Sequence, residues 1–222
     1  MDWAALQLSL KLAAWTAAIL LPAGILIGRL LARHRFRGQA FAEALLALPL
    51  VLPPTVLGYY LLVGLGGGSP VGRWYESVFG HPLVFTFQGL LVASLIFNIP
   101  FAIQPIQRAF EAIPEDVREA AACCGMSHWR TLWRIELPLA WTGLLSAMVM
   151  TIAHTLGEFG VVLMIGGSIP GETKTIAVAI YDRVQGFDTA SAGLMSAVLL
   201  LLSLLAIGVT YLTARQVDRR HA

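Results

Sequence analysis

Charge is what this sequence has least of. Asp, Glu, Lys and Arg make up 13% of its 222 residues, and hydrophobic residues 57%, where a soluble domain carries ~25% charged residues. That shortage excludes an ordinary water-soluble fold. Cysteine is scarce too, and the two present, Cys123 and Cys124, are neighbours. Adjacent cysteines seldom bridge because the geometry is strained, so free thiols in a reducing compartment are preferred over metal or redox chemistry. The opening MDWAALQLSLK lacks the basic start and small-residue cleavage site of a signal peptide, so the first apolar run is expected to stay in the mature protein. A nucleotide loop is missing as well. In GGSIPGETKT, Gly166 and Gly171 have the spacing of a phosphate-binding loop, but Glu172 stands where lysine must be and Lys174 comes too late. The chain is not expected to bind or hydrolyse ATP, and no catalytic residue, cofactor, metal site or nucleic-acid partner is expected.

What is present is apolar sequence in runs near the ~20 residues that cross a hydrocarbon core. Five runs can be read, at about 6–31, 40–65, 83–104, 139–165 and 192–213. They predict an all-α, polytopic transmembrane bundle forming one domain over residues 1–222. Basic residues choose its orientation. Arg29, Arg33, Arg35 and Arg37, then Arg108, Arg118, Arg130 and Arg134, then Arg215, Arg219 and Arg220 lie in the first and third connectors and the tail, eleven of the fifteen. Lys11, Arg73, Lys174 and Arg183, the other four, fall on the opposite side. The N-terminus is therefore expected outside and the C-terminus in the cytoplasm.

Pro49, Pro53 and Pro54 interrupt the second run (LALPLVLPPTVLGYY). Each removes a backbone donor and bends a helix, which a membrane tolerates where other helices or a wet cavity satisfy the freed carbonyls. A packing kink and a transport gate both remain open on this reading.

The connector at about 105–138 is polar. Ile113-Pro114-Glu115-Asp116 starts a helix, with acids at the positive end of its dipole. Gly125 is placed to stop it, and Ser127 to cap a second helix, HWRTLWRIEL. On that second helix Trp129, Leu132, Trp133 and Ile135 form an apolar stripe, and Arg130 and Arg134 lie on another face. The hairpin could lie at the headgroups or dock to a partner.

Its spacing is specific. Glu119-Ala120-Ala121, Gly125, Ile135 and Leu137-Pro138 resemble the "EAA" loop of ABC importer permeases at every defining position. The resemblance implies a type I importer permease fold. It also implies that Glu119, Ala120, Ala121 and Gly125 contact a separate cytoplasmic ABC ATPase, with Ile135, Leu137 and Pro138 anchoring the hairpin to the membrane. LPLVLPPTVLGYYLL (48–62) and LGEFGVVLMIGGSIPGETKTI (156–176) look like the molybdate permease subfamily. By that resemblance the chain is a homodimeric subunit of the bacterial plasma (inner) membrane, surrounded by lipid and supplied by a periplasmic or extracellular molybdate-binding protein. It would move the oxyanion by alternating access, with Pro53, Pro54, Thr55, Glu158 and Gly160 at the gate.

A tetrahedral divalent oxyanion favours hydrogen-bond donors and helix N-termini over fixed cations. Thr55, Tyr59, Tyr60, Asn98, Thr151 and Thr155 are the candidate donors. Glu158, expensive in hydrocarbon and repulsive to the cargo, is expected to bond to backbone or another helix, with His154 as a partner. Two such residues are too few for a metal. Tungstate or sulfate permeases remain alternatives, as do an integral membrane enzyme using His154 and Glu158, and a membrane scaffold.

Overall fold

The computed structural model describes the side chains of residues 1–208 and carries the last helix to His221. Arg215, Arg219 and Arg220, counted above for orientation, lie outside the described side chains. The chain is a bundle of helices in which α1 (Trp3–Arg33), α5 (Phe87–Glu111) and α8 (Leu137–Gly157) pack side by side. Asp2 starts α1 by accepting the Ala5 N–H at 3.0 Å, satisfying one of the four amides a helix start leaves open. Thr86 does the same for α5 through the Gly89 N–H at 3.2 Å.

The second apolar run is not one straight span. It forms α2 (Gln39–Val51) and α3 (Pro54–Leu65), bent by 109° at the break between them. Leu52 and Pro53 are extended, with ψ of 134° and 135°, because a following proline ring clashes with helical geometry. After α3, Ser69 caps the short α4 (Pro70–Phe79), which Gly80 ends in the left-handed conformation.

The polar connector also differs from the sequence reading. Pro105 lies inside α5, which continues to Glu111. Then come α6 (Glu115–Cys123), with Pro114 as its cap, and α7 (His128–Thr131). A π-helical turn over Leu132–Glu136 joins α7 to α8 without a gap. Pro138 has no N–H for the carbonyl four residues back, and the Leu137 N–H reaches five residues back to Leu132 O; the wide turn absorbs that mismatch. The chain ends with α9 (Gly160–Gly166), α10 (Ile176–Gln185) and α11 (Thr189–His221). Four helices among the described residues are long and apolar enough to span a membrane, or five if the bent pair crosses once.

Of the three apolar clusters among the described residues, the two larger ones hold the centre of the bundle. Leu12, Leu57, Leu90, Phe97, Val161, Val162 and Ile165 form one; Ile106, Phe110, Ile113, Leu132, Ala140 and Ala147 form the other. The second cluster draws the polar connector onto the membrane helices through Ile113 and Leu132. Apolar helices gain little from each other in lipid, so buried hydroxyls and amides add specificity. Thr16 and Ser94 share a 2.7 Å hydrogen bond between α1 and α5, and Asn98 Nδ2 donates to Ser94 Oγ at 3.3 Å.

The Ile176 N–H donates to Ser9 Oγ at 2.8 Å, tying the loop before α10 to the N-terminal part of α1. Arg29, near the opposite end of α1, pairs with Glu136 in the hairpin. The first and third connectors therefore share one end of the bundle. Ser94→Ala, which removes the oxygen shared by Thr16 and Asn98, is expected to cost about 0.6–1.7 kcal/mol. Thermal unfolding of the detergent-solubilised chain measures it.

Candidate functional site

The hairpin is built around one turn. Gly125 has φ of +69° and Cys124 closes α6. The Gly125 N–H donates to Ala122 O at 2.9 Å and the Met126 N–H to Ala121 O at 3.1 Å, the paired bonds of a Schellman stop. A Cβ on Gly125 would meet nothing within 4 Å, so backbone conformation and not space demands glycine here. Ser127 Oγ then accepts the Arg130 N–H at 3.4 Å to begin α7.

Around the turn, Glu119, Ala120, Gly125 and both free cysteines are exposed, while Ala121 is buried. The exposed carboxylate, the small side chain beside it and the glycine turn form one accessible knob. Ile135 and Leu137 are half-buried, and Pro138 is exposed. The expected apolar stripe splits. Leu132 is buried, but Trp129 and Trp133 are both 59% exposed and meet edge to face at 6.1 Å.

Beneath the knob sits an ionic cluster that the sequence reading missed. Glu136 is wholly buried, yet paired with arginine. Its Oε2 accepts from Arg29 Nε at 2.5 Å, and Arg33 Nη1 lies 3.7 Å from its Oε1. Arg118 Nε is 3.4 Å from the same Oε1, near enough for attraction but without hydrogen-bond geometry, so both atoms lack a hydrogen bond. Arg118 is held elsewhere, donating to Phe110 O at 2.5 Å and to Glu115 at 3.0 Å. One carboxylate thus joins α1, α6 and the turn entering α8. Its signal was available, since an ionisable residue between Ile135 and Leu137 at a membrane edge is costly unless paired.

The interrupted helices meet at their starts. A Cβ on Gly160 would lie 2.8 Å from Pro54 Cβ and 3.4 Å from Thr55 N, so α3 and α9 pack in backbone contact. Pro53, Pro54 and Thr55 are exposed beside this junction. Glu158 is buried and its Oε1 accepts the Val161 N–H at 2.9 Å, closing the open start of α9. Its Oε2 lies 3.9 Å from His154 Nε2. His154 Nδ1 donates to Asn98 Oδ1 at 3.1 Å, and Asn98 Nδ2 donates to Thr155 Oγ1 at 2.9 Å. The His154 ring lies 4.0 Å from the Phe101 ring, tilted by 30°. The structure therefore brings Pro54, Thr55, Glu158 and Gly160 together, with His154 behind them.

The candidate donors divide. Tyr59 and Tyr60 are 54% and 64% exposed, and Thr55 is exposed too, whereas Asn98, Thr151 and Thr155 face the protein interior. The GGSIPGETKT loop is a folded turn. Thr173 Oγ1 donates to Gly166 O at 2.6 Å, and Lys174 Nζ contacts Asp182 Oδ2 at 2.6 Å. Burial would raise the Asp182 carboxyl, but hydrogen bonds from Lys174 and Ser168 outweigh it and hold the group below its usual range. Among the described residues no group of three or more His, Cys, Asp or Glu side chains gathers to hold a metal.

A membrane bundle with interrupted helices and an exposed helical knob at one end is the architecture of a transport subunit. Residues 21–221 match the family described as "Binding-protein-dependent transport system inner membrane component", and the chain belongs to that family. It is a multi-pass inner-membrane transport subunit rather than an enzyme. Among its relatives, the "Molybdenum transport system permease protein ModB" of Azotobacter vinelandii is 45% identical, covering 96% of this chain and 95% of that protein. The "Probable sulfate transport system permease protein cysT" of Chlorella vulgaris is 30% identical over 90% of this chain and 75% of its own length. The fold is similar to the crystal structure of a bacterial ABC transporter importing the acidic polysaccharide alginate. The TM-score is 0.72 and the identity 17%, over 98% of this chain and 78% of that one.

Removing the Glu136 charge leaves Arg29, Arg33 and Arg118 facing one another. Glu136→Gln is expected to destabilise the chain by about 3 kcal/mol. The pair Arg29→Met with Glu136→Leu should lose less. Unfolding of both variants in detergent tests the ordering.

Proposed function

We propose that this chain is the permease subunit of an ATP-driven molybdate importer. The observation that carries the reading is the 45% identity to a molybdenum permease over nearly the full length of both proteins. The lower identity and coverage of the sulfate relative favour molybdate over sulfate. Tungstate, nearly the same size and charge, remains compatible with the same path.

In this reading the hairpin end faces the cytoplasm, in keeping with its arginines. Glu119, Ala120, Ala121 and Gly125 are the contact for a separate ABC ATPase, and Ile135, Leu137 and Pro138 anchor the hairpin. A binding protein delivers cargo at the opposite end. Two copies pair, with the exposed α3 residues Thr55, Tyr59 and Tyr60 turned toward the shared path. Movement of α6 is passed to α5 through the Arg118–Phe110 bond, while the Arg29–Glu136 pair holds the entry of α8 to α1. Both α5 and α8 lead to Asn98, His154 and Glu158, which sit behind the start of α9. A shift there moves Gly160 against Pro54 and alters the opening between α3 and α9, a two-state switch driven from outside the membrane.

Three outcomes are expected. Labelled molybdate should enter cells or vesicles carrying the full transporter despite excess sulfate; equal competition by sulfate would overturn the substrate assignment. Gly125→Val should reduce uptake about tenfold or more with insertion intact, because valine resists positive φ, while Gly125→Asn should retain most transport. Normal uptake by the valine variant would remove the knob from the mechanism. The two exposed native thiols, Cys123 and Cys124, should react with an impermeant maleimide only from the cytoplasmic side. Labelling from outside would reverse the proposed orientation.

A further inference from the structure

A cavity of about 290 Å³ opens where the C-terminal end of α1 meets the start of α7, lined by Leu26, Arg29, Leu30, Arg33, His34 and His128. The Arg29 and Arg33 side chains are 16% and 21% exposed, so they are mostly withdrawn from water while still bordering this opening. Arg29 Nη2 also donates to His128 O at 3.0 Å, which fixes the far wall to α1. Charge around the cavity is unbalanced. Among the described residues, Arg29 and Arg33 touch one carboxylate, Glu136, and share it with Arg118, whose second acid is Glu115. Three guanidinium groups therefore face two carboxylates, leaving a net positive charge at the cavity.

The other wall is greasy. Leu26 and Leu30 are 55% and 53% exposed, Ile27 lies exposed between them, and Ile19 continues the apolar surface further along α1. Trp129 follows His128 directly and Trp133 lies one turn further on, both exposed. Indole rings favour the level where headgroups meet hydrocarbon. Cationic donors are thus placed at that level, with an apolar track leading away from them into the bilayer.

We infer that this cavity holds the phosphate head of an anionic phospholipid, with an acyl chain lying along Leu26 and Leu30. Arg33 reaches the phosphate oxygens with guanidinium N–H groups it does not spend on Glu136, and Arg29 adds its field. Basic pockets between membrane helices recognise anionic headgroups by the same chemistry. A free oxyanion of the same charge would gain nothing from the leucines, and this is why a lipid is the assigned occupant. By occupying the edge of the Glu136 cluster, the lipid neutralises the spare positive charge and braces the joint between α1 and the hairpin. The inference requires only that this end of α1 lies at a membrane surface. It therefore stands or falls separately from the molybdate assignment.

The test uses the full chain reconstituted in vesicles of an equimolar mixture of phosphatidylglycerol and phosphatidylcholine, then released for native mass spectrometry. Phosphatidylglycerol should be retained in preference. Arg33→Gln should reduce that preference about fivefold, while Arg37→Gln, in the exposed connector, should leave it unchanged. Leu30→Asn is the second variant, and it should weaken retention without touching any charge. Thermal unfolding of the wild-type chain should shift upward with phosphatidylglycerol and not with phosphatidylcholine. Equal retention of both lipids would overturn the inference, as would unchanged preference in both the Arg33 and Leu30 variants. Displacement of the retained lipid by inorganic phosphate or molybdate would overturn it too, by making the cavity a free-oxyanion site.

Discussion

A carboxylate with no access to water sits where the polar hairpin joins the membrane helices, and the geometry of that end follows from keeping it paired. Burying an ion costs several kcal/mol unless opposite charges and hydrogen bonds compensate. Glu136 obtains that compensation from two turns of α1 and from α6 at once. The three elements therefore cannot take arbitrary orientations. The end of α1 must lie beside the π-helical turn, and α6 must present Arg118 inward. When Arg118 points inward, Glu119 and Ala120, the next residues of α6, point outward with the Gly125 turn. The knob is exposed because its neighbour is buried.

The same α6 arginine closes an accounting problem at the end of α5. The last carbonyls of a helix lack intrahelical partners, and Arg118 supplies a donor to one of them at Phe110. The hairpin thus hangs from α5 through a backbone carbonyl and from α1 through a side-chain pair. The direct Arg118–Glu136 contact, by contrast, has no hydrogen-bond geometry. The firm attachments lead from α6 to α5 and from the π turn to α1, and the loose contact lies between α6 and that turn. Any rotation of the hairpin is most easily accommodated there.

In the bundle the corresponding problem is an interrupted helix. Proline ends α2, and the chain between α8 and α9 breaks at Glu158 and Phe159. Such breaks are tolerated in a membrane only where protein or a wet cavity satisfies the freed backbone. Here Glu158 accepts the Val161 amide, and the missing side chain of Gly160 lets α9 approach Pro54 and Thr55. The carboxylate completes the protein's own backbone, which reconciles a negative charge with a path proposed for an anion.

The apolar runs, the prolines, the helix stop at Gly125 and the cap at Ser127 were legible from the sequence, because each acts within a few residues of itself. Hydropathy over ~20 residues, a missing N–H and a left-handed glycine are local properties. Even the meeting of Glu158 with His154 lies within a single helical turn. The 109° size of the bend at Pro53, the pairing of Gly160 with Pro54 and the partners of Glu136 were not legible. Arg29 and Glu136 are 107 residues apart, and nothing near either residue names the other. Arg118 looked like one more cytoplasmic charge until the fold turned it inward. Which charges are solvated and which are sealed into a joint is a property of packing, and only the assembled helices decide it.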